Sequence, residues 1–148
     1  MIDDLDRRIV QTLESDGRIT NAALAERVGL SPSACLRRVQ ALEDSGVIAG
    51  YRAVIDRSKL GAGLKVYVAV DLVRHSRDAL IAFERSMKSI PEVRECHNVS
   101  GSVAYILLVE VPDLAAYKRL HTDVLGGIEQ MASITSYFVL DSPKNERG

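Results

Sequence analysis

The chain has 148 residues, of which 47% are hydrophobic and 26% charged, and its formal net charge at pH 7 is −1. This balance is typical of a globular protein and excludes a purely electrostatic binder of nucleic acid. Cys35 and Cys96 lack CxxC spacing, which favours neither a disulfide framework nor a zinc site. The charged first 20 residues are not a signal peptide, and no apolar run reaches the ~20 residues of a membrane span, so we expect a cytoplasmic protein.

The first 46 residues predict three short helices separated by glycines. Apolar residues recur on one face of the first helix, at Leu5, Ile9, Val10 and Leu13. A second helix begins at Thr20 or Asn21 and ends at Gly29. Ser31 followed by Pro32 is a strong helix start, because proline's missing N–H would be unpaired there. The third helix is predicted to place four side chains inward, namely Cys35, Leu36, Val39 and Leu42.

Two helices joined by a short turn containing glycine are typical of a helix-turn-helix. Val47-Ile48 and Arg52-Ala53-Val54-Ile55 flank Ala49-Gly50 and predict a short β-hairpin or wing. Residues 56–63 then have the composition of a linker. We therefore predict a helix-turn-helix domain over 1–50, a hairpin strand and linker over 51–63, and a second domain over 64–148.

The second half predicts the order βαββαβ, a ferredoxin-like α+β domain. Strands are expected at 64–72, 93–100, 103–111 and 134–140, with a turn at Gly101-Ser102. One helix carries Leu80, Phe83, Met87 and Ile90 before Pro91, and the other starts at Asp113 and carries Leu114, Tyr117, Leu120 and Val124. Alternating strands indicate an antiparallel sheet with helices on one face. The other face is expected to cover a second copy of the chain.

These residues resemble the Lrp/AsnC family of feast/famine transcription regulators. The resemblance lies in the following segments: Leu5-Asp6-Arg7-Arg8-Ile9, Asp16-Gly17-Arg18, Leu24-Ala25, Val28-Gly29-Leu30-Ser31-Pro32-Ser33, Cys35-Leu36-Arg37-Arg38-Val39, Leu42-Glu43, Gly46-Val47-Ile48, Gly50-Tyr51 and Leu60-Gly61. It covers essentially the whole chain. It implies a sequence-specific, double-stranded-DNA-binding regulator without catalytic activity or a bound cofactor. It also implies a homodimer assembling to a tetramer or octamer, and modulation by an amino acid.

DNA contacts are expected around the third helix, whose first half enters the major groove in this motif. Arg37 and Arg38 are candidates for phosphate or guanine contacts, and Arg37 is the better reader because Arg38 could also hold the domain together. Pairing with Glu43 or Asp44 is the structural alternative for these arginines. The remaining candidates are Ser31 (first a helix cap), Ser33, Ala34, Gln40, Arg18 and Arg52.

An effector site is expected at the turn between the second and third strands. The family usually carries a Gly-Asp-Tyr-Asp-like sequence there, whereas this chain has Gly101, Ser102, Val103, Ala104 and Tyr105. Ser102 and Ala104 supply no carboxylate for an effector's ammonium group. Thr135 and Ser136 on the last strand are further candidates. The three histidines, His75, His97 and His121, show no metal-ligand spacing, so no metal site is predicted.

Three other functions are considered. An enzyme requires a convergent acid, base or nucleophile set, which the sequence does not show. The helix-turn-helix could instead bind a protein and regulate a partner enzyme, or the chain could organise DNA without any effector. Duplex-DNA binding that weakens steeply with salt would favour the regulator over the protein-binding module.

Overall fold

The computed structural model describes residues 1–146. Their backbone forms two compact units, the first comprising Met1–Val54 and the second beginning at Ile55. Among these residues, no helix has both the length and the apolar character needed to cross a membrane.

The first unit consists of three helices, as predicted: α1 at Asp4–Ser15, α2 at Asn21–Val28 and α3 at Pro32–Asp44. Each is capped by a residue whose side chain accepts a hydrogen bond from a backbone N–H of the first turn: Asp3, Thr20 and Ser31 respectively. Their inward faces form a core that comprises Ile9, Leu24, Ala25, Val28, Cys35 and Leu42. The caps thus fix where each helix starts, and the apolar positions fix which face it buries.

The turn between α2 and α3 depends on Gly29. Its φ of +76° lies in the left-handed region, where an L-residue is strained. The Gly29 N–H donates to the Glu26 carbonyl at 3.3 Å and the Leu30 N–H to the Ala25 carbonyl at 2.9 Å, which is a Schellman end to α2. This turn sets the direction in which α3 leaves the α2 end.

Two predictions for the end of this unit are wrong. Leu36 is 46% exposed, because the inward face of α3 follows Cys35, Val39 and Leu42 and leaves Leu36 about 100° around the helix. No strand is described between α3 and residue 57, so the hairpin predicted over 47–55 is absent. The physical reason is that the chain there finishes α3: the Ile48 N–H donates to the Leu42 carbonyl at 3.0 Å, and the Tyr51 hydroxyl donates to Glu43 Oε1 at 2.8 Å.

The second unit has the predicted βαββαβ order. Its elements are β1 (Leu64–Leu72), α4 (Arg77–Lys88), β2 (Val93–Asn98), β3 (Tyr105–Val111), α5 (Leu114–Arg119) and β4 (Met131–Phe138). The strands form an antiparallel sheet in the order β2-β3-β1-β4. A π-helical turn and a 3-10 turn extend α5 to Gly127, and the predicted linker holds a short 3-10 helix at Arg57–Leu60. This is the ferredoxin-like topology that the sequence predicts.

The two faces of the sheet differ in composition. Both helices pack on one face, whose buried residues include Val66, Val68, Val70, Leu107, Val109, Phe83, Met87 and Tyr117. The alternate residues lie on the other face, here called the open face: Lys65, Tyr67, Ala69 and Asp71 of β1, Ile106, Leu108 and Glu110 of β3, and Ser133, Thr135 and Tyr137 of β4. The Arg57 guanidinium contacts the open face, with its Nε 3.0 Å from Glu110 Oε2.

Strand ends differ from the predicted ones around the turn. β2 stops at Asn98 and β3 starts at Tyr105, because the Val99 N–H donates to the Ala104 carbonyl at 2.9 Å and closes a loop between them. β4 begins at Met131, three positions before the predicted start. The loop 99–104 therefore stands beyond the sheet, at the end of β1.

Candidate nucleic-acid interface and ligand pocket

The first half of α3 presents a polar outer face. Ser33, Arg37 and Gln40 are all exposed, and their i, i+4, i+7 spacing puts them on one side of the helix. Leu36 shares this side, a position that the sequence assigned to the core. In a major groove, the hydroxyl, guanidinium and amide groups can hydrogen-bond to base edges, and the apolar side chain can contact a thymine methyl group. Ala34 lies partly buried on the adjacent side.

Ser31 acts as the cap that the sequence indicates. Its Oγ accepts from the Ala34 N–H at 3.3 Å and lies 3.4 Å from Ser33 Oγ. The bond satisfies one of the N–H groups that the first turn of α3 leaves without a helical partner. A helix N-terminus attracts anions such as phosphate. The contact that this structure shows for Ser31 is the cap.

Arg38, unlike Arg37, is held by ion pairs within the first unit. Its Nη1 is 2.7 Å from Asp3 Oδ2 and 2.8 Å from Asp6 Oδ1, which links α3 to the start of α1. These hydrogen bonds raise the pKa of Arg38 above its usual value. The pKa of Asp3 is lowered, first by the Asp6 N–H and then by Arg38. The predicted partners Glu43 and Asp44 are therefore wrong, and Arg38 is a positioning residue in this structure.

Arg37, Arg18 and Arg52 remain available for DNA. All three are exposed, and no guanidinium hydrogen bond or ion pair joins them to any other described residue. Arg18 precedes α2, where its N–H donates to Asp16 Oδ1, and Arg52 follows α3. An unpaired arginine on this surface can neutralise phosphate without breaking an internal contact.

The second unit contains a cavity of about 330 Å³ around the loop 99–104. Its lining comprises Asp71, His75, Leu80, Asn98, Val99, Ser100, Gly101, Ser102, Val103 and Ala104. Four of the predicted effector residues, Gly101 to Ala104, thus lie together on this cavity. Asn98 supports the loop, because its Nδ2 donates to the Ala104 carbonyl at 3.0 Å.

Three predicted effector residues lie elsewhere. The Tyr105 side chain lies on the helix-covered face of the sheet, where its hydroxyl donates to Glu84 Oε1 at 2.6 Å, and burial raises its pKa. Ser136 is hydrogen-bonded to Tyr117 on that same face. Thr135 lies on the open face, paired with Ala69. Adjacent strand residues point to opposite faces, so Thr135 and Ser136 cannot serve one pocket.

Comparison with known proteins gives the family. The model described as Lrp/AsnC ligand binding domain matches residues 65–148, and the one described as winged helix-turn-helix DNA-binding matches residues 2–49. The chain belongs to the Lrp/AsnC family. Lrp/AsnC proteins are DNA-binding transcription regulators, so this chain is one too, with duplex DNA and a small molecule as partners, in a family where oligomers are typical.

Relatives of the Lrp/AsnC family match over almost the whole chain. The leucine-responsive regulatory protein of Escherichia coli K12 is 39% identical over 143 residues, which are 97% of this chain and 87% of that protein. A transcriptional regulator of Neisseria meningitidis, solved in complex with L-methionine, is 35% identical with a TM-score of 0.94 over 98% of this chain and 94% of that one. An AsnC family regulator of Agrobacterium tumefaciens is 36% identical with a TM-score of 0.90, over 97% and 93%.

The sequence reasoning missed the two ionisable side chains that line the cavity of this Lrp/AsnC chain. Asp71 and His75 line the cavity, with His75 Nε2 3.4 Å from Asp71 Oδ1. Asp71 looked like one polar position of an alternating strand, and only the fold brings it to a loop that lies 30 residues later. Among the described residues, no cluster of His, Cys, Asp and Glu could hold a metal ion.

Proposed function

We propose that this Lrp/AsnC regulator reads a DNA major groove with the outer face of α3, through Ser33, Leu36, Arg37 and Gln40. One observation carries the proposal: Arg37 is exposed and unpaired among the described residues, while its neighbour Arg38 is held by Asp3 and Asp6. Arg18 and Arg52 are proposed to contact phosphates. Paired protomers would then contact half-sites separated by whole turns of the duplex.

The DNA proposal is tested by selecting binding sites from a random duplex pool and measuring affinity against salt. Arg37→Ala is expected to weaken binding by about 1–3 kcal/mol if Arg37 reads a base, with relaxed preference at one position. If Arg37 contacts phosphate, the salt slope falls by about 1 instead. Arg85→Ala, an exposed arginine of α4, is the matched control. Unchanged affinity and slope in Arg37→Ala would show that another face binds DNA.

The open face of the sheet is proposed to form the homodimer. It exposes the large side chains of Tyr67 and Tyr137, which are cross-strand neighbours. Aromatic side chains exposed side by side are typical of interfaces. Tyr67→Glu is expected to shift the sedimentation coefficient to that of a smaller species, whereas Leu114→Glu, at an exposed apolar residue of α5, is expected to leave it unchanged. The same species in both variants would contradict this interface.

The cavity around 99–104 is proposed to bind an amino acid effector. The family description and the L-methionine in the Neisseria relative support this. A ligand specific for the folded state stabilises it by about 2.7 kcal/mol at 100 times its Kd, so a melting screen of the twenty common L-amino acids tests it. The effector is proposed to change assembly geometry, and with it half-site spacing. Equal operator affinity and oligomer size with and without every amino acid would contradict that coupling.

We further propose that the protein has no catalytic activity and that it acts in the cytoplasm. Membership of a regulatory family supports the first point and the DNA partner supports the second.

A further inference from the structure

The cavity contains a carboxylate whose purpose the fold does not explain. Asp71 lies near the end of β1 on the open face, and its side chain is 33% exposed. Of the described residues lining the cavity, it is the one acid, and Ser102 and Ala104 contribute no charge. The cavity therefore has a negative group on the strand side and an uncharged loop opposite.

One oxygen of this carboxylate is unsatisfied. Asp71 Oδ1 is covered from solvent and accepts no hydrogen bond from any described residue. His75 Nε2 lies 3.4 Å away without hydrogen-bond geometry, and the 62% exposed His75 ring can turn aside without disturbing the core. Buried acceptors are nearly always bonded, so an acceptor left open beside a cavity indicates that a ligand donor completes it.

The loop across the cavity offers the opposite kind of group. The Val99 N–H donates to the Ala104 carbonyl and the Ala104 N–H to the Val70 carbonyl at 3.1 Å. Between them, the backbone N–H groups of residues 100–103 donate to no acceptor among the described residues. Residues 100–103 line the cavity, so their N–H groups are hydrogen-bond donors that a ligand carboxylate in it can use.

We infer that Asp71 binds the ammonium group of an α-amino acid whose carboxylate is bound by the N–H groups of residues 100–103. A carboxylate and a set of N–H donors on one small cavity match the ammonium and carboxylate groups of a zwitterion. A ligand that lacks the amine leaves Asp71 Oδ1 without a hydrogen-bond donor. Asp71 is thus the residue that selects amine-bearing effectors. This inference rests on the effector pocket of the proposed function and adds the group that recognises the ligand.

The test compares each amino acid with the carboxylic acid that has the same side chain and no amine. Calorimetric titration of the wild-type protein with the twenty common L-amino acids identifies the strongest binder, and its deaminated analogue is then titrated. Asp71→Asn is expected to weaken the amino acid by about 10- to 100-fold and to leave the analogue within about 3-fold. Asp78→Asn, an exposed acid of α4 outside the cavity, is expected to change neither. Asp71→Ser is the second variant if Asp71→Asn does not fold.

Each outcome decides a different point. The inference is supported if the Asp71 variants no longer bind the amino acid more tightly than its deaminated analogue, while their affinity for the analogue is unchanged. Retained preference, or equal loss of both ligands, overturns it while the effector pocket stands. If the wild-type protein binds no amino acid, both the inference and the effector part of the proposed function fail, whereas the DNA part is still decided by Arg37→Ala.

Discussion

The Arg38 guanidinium of α3 lies 2.8 Å from the Asp6 carboxylate of α1. Asp6 is 8% exposed and is the buried charged residue among those described, so Arg38 neutralises a charge that has little access to water. Asp3 adds a second carboxylate to the same guanidinium at 2.7 Å. Two neighbouring arginines of one helix therefore have different roles. Arg38 links α3 to the start of α1, and Arg37 is free to contact DNA.

Arg38→Ala is expected to lower the melting temperature by several degrees, because it leaves the Asp6 carboxylate buried without its partner. Arg37→Ala removes an exposed side chain with no internal partner and is expected to shift stability by less than about 0.5 kcal/mol. Thermal melts followed by circular dichroism measure both. Equal melting temperatures for the two variants would contradict the assignment of separate roles.

Asp3→Asn is expected to destabilise the protein at pH 7 but not in acid. The lowered pKa of Asp3 means that its contribution is complete above the unfolded-state value of about 4 and is lost as the pH falls through the lower folded-state value. Asparagine keeps the capping ability and loses only the charge. The difference in melting temperature between wild type and variant should shrink below about pH 4. A constant difference from pH 7 to pH 3 would show that the charge of Asp3 is unimportant.

Gly29→Ala is expected to cost about 1–2 kcal/mol of unfolding free energy, because an L-residue is strained at φ of +76°. A Cβ at Gly29 meets no atom within 4 Å, so backbone strain is the whole cost. Gly17→Ala is the matched control, because its added Cβ makes an ordinary 3.7 Å contact with the Leu13 carbonyl at a φ outside the left-handed region. Urea titration of the two variants measures the difference, and equal losses would argue against strain at Gly29.

Cys96 is expected to react slowly with thiol reagents despite partial exposure. Burial, with a smaller contribution from Glu84, raises its pKa to about 11. The thiolate fraction at pH 8 is then about one in a thousand, against about one in four for an ordinary cysteine. Because a thiolate of higher pKa is also more nucleophilic, reaction with Ellman's reagent should be about 10-fold or more slower in the native protein than in denaturant, where Cys35 is exposed as well. Rapid modification of one thiol at pH 8 would contradict this.

The local features of the fold could be read from the sequence because they have local causes. Ser31-Pro32 starts α3 through its own hydrogen bonding, Gly29 ends α2 through its own φ, and the alternation from Leu64 to Leu72 predicts β1 because only one face of a strand meets the helices. These signals act over a few residues. They predicted the three helices and the βαββαβ order correctly. They failed at 47–55, where Ile48 and Tyr51 donate hydrogen bonds to residues of α3 and no hairpin forms.

The sites were harder to predict because their contacts join distant positions. Arg38 and Asp3 are 35 residues apart, whereas Glu43 and Asp44, the expected partners, are sequence neighbours on the same helix. Asp71 meets the loop 99–104 only because β1 and β3 are adjacent in the sheet. Thr135 and Ser136 were grouped by adjacency in sequence, which in a strand places two side chains on opposite faces.

The capping of α1 by Asp3 has a practical consequence for how the protein is handled. Met1 and Ile2 lie directly before this cap, and both line a cavity that also includes Arg37, Arg38 and Ala41 of α3. Residues introduced directly before Met1 would therefore lie beside the helix proposed to enter DNA. Purification handles removed by a protease, with no residues left behind, are the safer choice for binding measurements.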